Sequence, residues 1–204
     1  MKTLIFATGN AHKAYEVKKM LAGLPVRVLT LKDAGLDLDI EETGKTFREN
    51  SLIKARAVYA ASKQAVLADD SGIEIDAFGG APGVYSSRFM GEDTPYPVKC
   101  AAILERMKDV PDEERGADFR CVMSFIAPDA EGRPQEFVEE GAVYGRIAHA
   151  PAGENGFGYD PVFLLPERGV TTAELSDEEK NAISHRGLAL QAMKPHLVRW
   201  ITEE

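Results

Sequence analysis

What most constrains this chain is the alternation in residues 2–30. The apolar run Leu4-Ile5-Phe6 reads as a buried strand over 2–7 that stops abruptly in Thr8-Gly9-Asn10. Residues 11–21 then space Tyr15, Val17 or Lys18, Met20 and Leu21 for one apolar helical face, with Asn10 placed as its N-cap. Residues 25–30, with Val26 and Val28, return as a second strand. Strand, helix and strand in that order open an α/β fold.

The remaining elements extend that pattern and then depart from it. Thr46-Phe47-Arg48-Glu49 is a capping box before an alanine-rich helix over 47–62. A short apolar strand over 64–68 is expected to stop at Asp69-Asp70-Ser71-Gly72, with Ile73 and Ile75 marking another short strand. Gly79-Gly80-Ala81-Pro82-Gly83 is a loop, and helices are expected near 86–90 and 97–108. Two long strands, 117–127 and 135–147, flank a turn at 128–134. A glycine-rich loop follows over 151–160, then a strand over 161–165. Ser176-Asp177-Glu178-Glu179 is a second capping box, leading a C-terminal helical region that Gly187 and Pro195 break or bend. This predicts one α/β domain over 1–204 with a mixed sheet in two lobes, the second formed mainly by about 111–150.

Composition narrows the function classes. With 204 residues, 44% of them hydrophobic and 28% charged, the chain has ordinary globular make-up. The N-terminus is too short in apolar residues for a signal peptide, and nothing approaches a membrane span, so no membrane and a cytoplasmic location are expected. A net charge of −9 argues against binding a nucleic-acid backbone, though not against a small phosphate ligand held by a few local cations. Cys100 and Cys121 form no CxxC pair and suggest neither zinc nor a disulfide.

Four segments carry chemistry. Thr8-Gly9-Asn10-Ala11-His12-Lys13 brings a small polar loop to a helix N-terminus, a generic anion site to which Lys13 can reach back. Asp69-Asp70, with Glu41-Glu42 as a second acidic source, offers oxygen ligands to a hard cation and a carboxylate to accept a proton from water. Strand alternation makes one acid of each pair the ligand without saying which. Gly156-Phe157-Gly158-Tyr159-Asp160 sets an aromatic ring beside exposed backbone, suited to stacking a nucleobase. Lys180, Ser184, His185 and Arg186 add cations and donors. Two nucleotide signatures are excluded: Gly44-Lys45-Thr46 lacks the first P-loop glycine, replaced by Asp39, and Gly156-Phe157-Gly158 meets Pro161 where a dinucleotide motif needs glycine.

Taken with Gly79-Gly80-Ala81-Pro82-Gly83-Val84-Tyr85-Ser86 and the run from Ala173 to Arg186, these segments resemble the inosine triphosphate pyrophosphatase family across essentially the whole chain. The resemblance implies a homodimer with an elongated mixed sheet and a nucleotide cleft between two lobes. It further implies Mg²⁺-dependent hydrolysis of dITP, ITP and XTP to the monophosphate and pyrophosphate. By position, residues Thr8, Gly9, Asn10, Ala11, His12 and Lys13 would cradle the triphosphate, Glu41 and Asp70 would bind metal, and Asp70 would accept the proton. Lys54 would be a phosphate ligand, while Ser71, Phe157, Gly158, Tyr159, Asp160, Lys180, His185 and Arg186 would contact substrate. Donors such as the Arg186 or His185 side chain or loop N–H groups are the expected readers of the purine 6-oxo group. A non-hydrolytic purine nucleotide sensor, and a pyrophosphatase for modified pyrimidine triphosphates, are the competing readings.

Overall fold

The computed structural model describes residues 1–203. Seven strands form one mixed sheet in the order β2-β1-β3-β4-β5-β6-β7. Strand β1 (Lys2–Phe6) leads through helix α1 (Ala11–Leu21) to β2 (Val26–Thr30), and pairs in parallel with β2 on one side and β3 on the other. Helix α2 (Phe47–Ser62) begins at the predicted capping box, Thr46 Oγ1 accepting from Glu49 N and the Glu49 carboxylate accepting from Thr46 N. Strands β4 (Gly116–Pro128) and β5 (Pro134–Ile147) are sheet neighbours. Short strands β6 (Phe163–Leu165) and β7 (Val170–Thr171) continue it antiparallel from β5.

Four local expectations need correction. The acids at 69–70 do not end a strand: β3 runs unbroken over Ala65–Ile75. Gly72 keeps it continuous, since a Cβ there would stand 2.4 Å from both Gly83 O and Ser86 Oγ. Residues 86–90 form turns after a single 3-10 turn at Gly83–Tyr85, because Ser86 Oγ accepts from Ile73 N and Met90 enters the left-handed region at φ 61°. A 3-10 turn at Asp160–Val162 precedes β6. The C-terminal region is two helices, α4 (Asp177–Ile183) and α5 (His185–Thr202), hinged at Ser184, and α5 continues through both Gly187 and Pro195. Helix α3 (Tyr96–Met107) lies where expected, with Pro97 in its first turn.

The chain divides into two compact units. The first comprises Met1–Asp70, Cys121–Gly141 and Arg186–Glu204; the second comprises Ser71–Arg120 and Ala142–His185. Residues 111–150 are thus shared between them. In the first unit, strand alternation sorts side chains to two faces. Leu4, Phe6 and Leu67 pack with Val17 and Leu21 of α1 and Leu190 and Met193 of α5, while Ile5, Val66 and Ala68 pack with Ala55 and Val58 of α2. The core of the second unit gathers Ile73, Ile75, Ile103, Met107, Phe119, Tyr159, Val162 and Phe163. Among the described residues no helix is long and apolar enough to cross a membrane, and both cysteines are free thiols.

Candidate active site

The first unit carries a cationic and acidic cluster where β1 ends and at the middle of β3. Thr8 Oγ1 accepts from Asn10 N, and Asn10 Oδ1 accepts from His12 N and Lys13 N at 2.9 and 3.2 Å, fixing the turn into α1. Gly9 and Ala11 carry the amides that no side chain of the turn claims, and open space surrounds the position a Cβ would take on Gly9. An anion can therefore approach the backbone here closely.

Alternation along β3 sends its two acids apart. Asp69 continues the row of Ala65 and Leu67 toward α1 and α5, where its Oδ2 lies 3.1 Å from Lys13 Nζ and 3.2 Å from Arg186 Nε. Burial opposes its charge, but Lys13, Arg186 and Lys54 outweigh that and hold the carboxyl well below the usual range. Asp70 continues the row of Val66 and Ala68 toward α2. There Asn50 Nδ2 donates to its Oδ2 at 3.0 Å and Lys54 Nζ stands 3.8 Å from its Oδ1. Burial pushes the Asp70 carboxyl up, against the opposing pull of Lys54 and Lys13. One neighbour is locked as an anion, and the other is left with affinity for a proton or a cation.

Lys54 Nζ also donates to Glu42 Oε1 at 2.8 Å; burial works against its charge, but Asp70, Asp69 and Glu42 keep it raised. Glu41, expected as the second metal ligand, is exposed, and it is Glu42 whose charge acts on Asp70. The sequence assigns Asn50 no role; its signal there is an amide at helical spacing from Phe47, Ala55 and Val58, and the structure buries it fully on the inward face of α2. It links the acidic loop to the site, Asn50 Oδ1 accepting from Gly44 N at 2.8 Å.

The donor set of this cluster fits a hard divalent cation in one specific way. Among the described residues no three His, Cys, Asp or Glu side chains could jointly hold a metal. A magnesium-type ion takes one or two carboxylates and completes its shell from water and phosphate oxygens. Asp70, desolvated and raised, with Glu42 nearby, matches that pattern.

In the second unit the glycine-rich loop is organised around Asp160. Its Oδ2 accepts from Phe157 N at 2.8 Å and Lys180 Nζ at 2.6 Å, and its Oδ1 accepts from Thr172 Oγ1 at 2.9 Å. Lys180 Nζ lies 4.9 Å from the centroid of the Phe157 ring, a cation–π geometry that fixes the ring. Tyr159 is buried, its hydroxyl donating to Ser86 O at 2.6 Å and its ring meeting Tyr96 edge-on. A largely apolar cavity of about 480 Å³, lined by Tyr96, Cys100, Leu104, Phe157 and Gly158 among others, borders the loop. His185 is buried and stacked on Phe119 at 4.8 Å. Ser71 is half-buried at the start of this unit. Arg186, expected to read the base, is 1% exposed and has its Nη1 on Glu16 at 2.7 Å as well as its Nε on Asp69.

This sheet, and this pairing of a loop-capped helix with two differently tuned acids, define a chain of nucleotide-hydrolase character, and the family model shows which: residues 4–196 match the Ham1 family, to which the chain belongs. A curated relative from Clostridium perfringens named dITP/XTP pyrophosphatase is 46% identical over 203 residues, spanning 97% of this chain and 98% of its own length. One of the same name from Geobacillus kaustophilus is 48% identical, over 93% of this chain and 91% of its own. The Staphylococcus aureus Ham1 protein superposes with a TM-score of 0.85 at 37% identity, covering 98% of this chain and all of that one. The family resemblance drawn from the sequence segments is borne out.

Proposed function

We propose that this protein is a nucleoside triphosphate pyrophosphatase that hydrolyses dITP, ITP and XTP to the monophosphate and pyrophosphate, clearing deaminated purines from the nucleotide pool. Relatives at 46% and 48% identity over nearly the full chain bear the name dITP/XTP pyrophosphatase. The observation that carries the reading is the opposite tuning of Asp69 and Asp70 beside Lys13 and Lys54.

In this reading Asp70 accepts the proton of the attacking water. A carboxyl raised by burial is a stronger base than an exposed one, while Lys54 and Lys13 oppose the rise and favour its ionised form. Lys13, Lys54 and the backbone of residues 8–13 hold the phosphate oxygens and stabilise the charge that builds on a departing pyrophosphate. Mg²⁺ on Asp70 and Glu42, in preference to Glu41, supplies neutralisation of phosphate charge when bound. Asn50 keeps the Asp70 carboxylate oriented. In the second unit Phe157 offers its ring to the purine, and Gly158, Tyr159, Asp160, Lys180, His185 and Ser71 form or support that surface. Lys180 and Asp160 do so chiefly through each other, since their charges are already paired. The same family reading carries a homodimer, which sedimentation equilibrium tests.

The deciding experiment is product analysis with Mg²⁺ and equal dITP, XTP, dGTP, dATP and dUTP, with Asp70→Asn alongside. Pyrophosphate from dITP and XTP, lost in the variant, is expected. Orthophosphate as the product, or preference for dUTP, would overturn the assignment.

A further inference from the structure

Arg115, the residue before β4, is buried, and its guanidinium donates to main-chain carbonyls of two separate segments. Nε donates to Ile147 O and Nη2 to Ala148 O, both at 2.8 Å, while Nη1 donates to Met107 O at 2.5 Å and Val110 O at 3.3 Å. Met107 is the last residue of α3, and Ile147 is the last of β5, where the chain leaves the sheet for the glycine-rich loop. The main chain adds to this grip: Ile147 N donates to Arg115 O and Ala148 N to Val162 O, each at 2.9 Å. A planar fork of fixed donors suits such a junction, because it sets direction as well as distance. The negative end of the α3 dipole favours a cation there.

Toward its N-terminal end α3 meets the same loop through weaker contacts. Cys100 Sγ donates to Gly158 O at 3.6 Å, and the Tyr96 ring meets Tyr159 edge-on at 5.3 Å. A thiol is a poor donor. The cavity of about 480 Å³ is lined by Tyr96, Cys100 and Leu104 of α3 and by Gly156, Phe157 and Gly158 of the loop, so α3 does not fill the space beside Phe157. Packing alone therefore leaves the separation of loop and helix loosely set, and the junction at Arg115 fixes it. We propose that Arg115 is a positioning residue for the base-stacking ring: by tying the end of α3 to the root of the glycine-rich loop, it holds Phe157 where the purine stacks. This rests on the function proposed above. Asp160 and Lys180 fix the ring within the loop, and Arg115 fixes the loop within its unit.

A residue that serves stability alone lowers Tm and leaves the KM of the folded enzyme where it was. One that places the stacking ring raises KM for a nucleotide at unchanged kcat, since stacking holds ground state and transition state alike. The test uses wild type, Arg115→Met and Arg115→Lys, each checked for its folded fraction by thermal unfolding. KM and kcat for dITP in Mg²⁺ are paired with calorimetric titration of inorganic triphosphate, which has no base. In Arg115→Met, which removes every donor, KM for dITP is expected to rise about tenfold, the change equivalent to ~1.4 kcal/mol, with kcat and inorganic triphosphate affinity unchanged. Arg115→Lys keeps the charge and an ammonium donor, so it should recover part of that loss, and it carries the test if Arg115→Met does not fold. A lowered Tm with KM unmoved in the folded variants overturns the proposal. So does a loss of inorganic triphosphate affinity that matches the rise in KM, which would place the effect at the phosphate end. If wild type releases no pyrophosphate from any purine triphosphate, the proposed function fails, while titration of dITP against inorganic triphosphate still reads the seat of Phe157.

Discussion

Asp69 and Asp70 are consecutive residues of β3 whose carboxylates face opposite sides of the sheet. Asp69 meets Lys13 and Arg186 beneath α1 and α5, and Asp70 meets Asn50 and Lys54 beneath α2. Burial acts on both, yet only Asp70 is left with a raised pKa, because its cations are more distant and Glu42 adds like charge.

Replacing Asp70 by Asn separates catalysis from stability. With Asp70 in the proposed role of general base, its loss is expected to lower kcat by roughly 10²–10⁴-fold. Because the folded-state pKa of Asp70 is raised, its ionisation favours the unfolded chain. Its contribution to stability is present below the ordinary carboxylate pKa and lost as pH rises through the raised value. Asp70→Asn should thus have a higher Tm than wild type at neutral pH, with the gap closing on acidification, as scanning calorimetry across pH will read.

The reverse holds for Asp69. Its depressed folded-state pKa gives stability that is complete above the ordinary carboxylate pKa and lost as pH falls through the depressed value. Asp69→Asn leaves Lys13 and Arg186 without that charge in a buried setting. Breaking such a pair costs about 3–5 kcal/mol, and urea unfolding at neutral pH should show the loss.

Asn50→Asp sets a second carboxylate against Asp70, where the amide now donates at 3.0 Å. Like charges that close raise the pKa of the shared site. In the proposed function Asp70 acts as the ionised base, so the acidic limb of the kcat/KM profile should move to higher pH. An unmoved limb would show that another group sets it.

Gly156→Ala tests the loop around Asp160. Gly156 has φ 71°, and a Cβ there would stand 2.2 Å from Asp160 Oδ2 and 3.0 Å from Lys180 Nζ. The left-handed backbone alone costs an alanine roughly 1–2 kcal/mol, and the clash disturbs the pair that seats Phe157. KM for dITP is expected to rise more than the affinity for inorganic triphosphate falls.

What the sequence by itself determined was everything set by local rules. The βαβ opening, the Asn10 cap, the capping boxes at Thr46 and Ser176 and the long strands β4 and β5 all follow from periodicity, turn chemistry and side chains bonding their own backbone. The family and its motif residues were likewise legible in order along the chain. What only the tertiary structure decided was which partner each charged residue meets. Alternation announced that Asp69 and Asp70 diverge, but not that α1 and α5 cover one face and α2 the other. The continuity of β3 through two acids depends on sheet neighbours and on Gly83 and Ser86 packed against Gly72. The enclosure of Arg186 depends on Glu16, 170 residues away in sequence. Coulombic and desolvation energies depend on distance and burial, and those quantities exist only once the chain has folded.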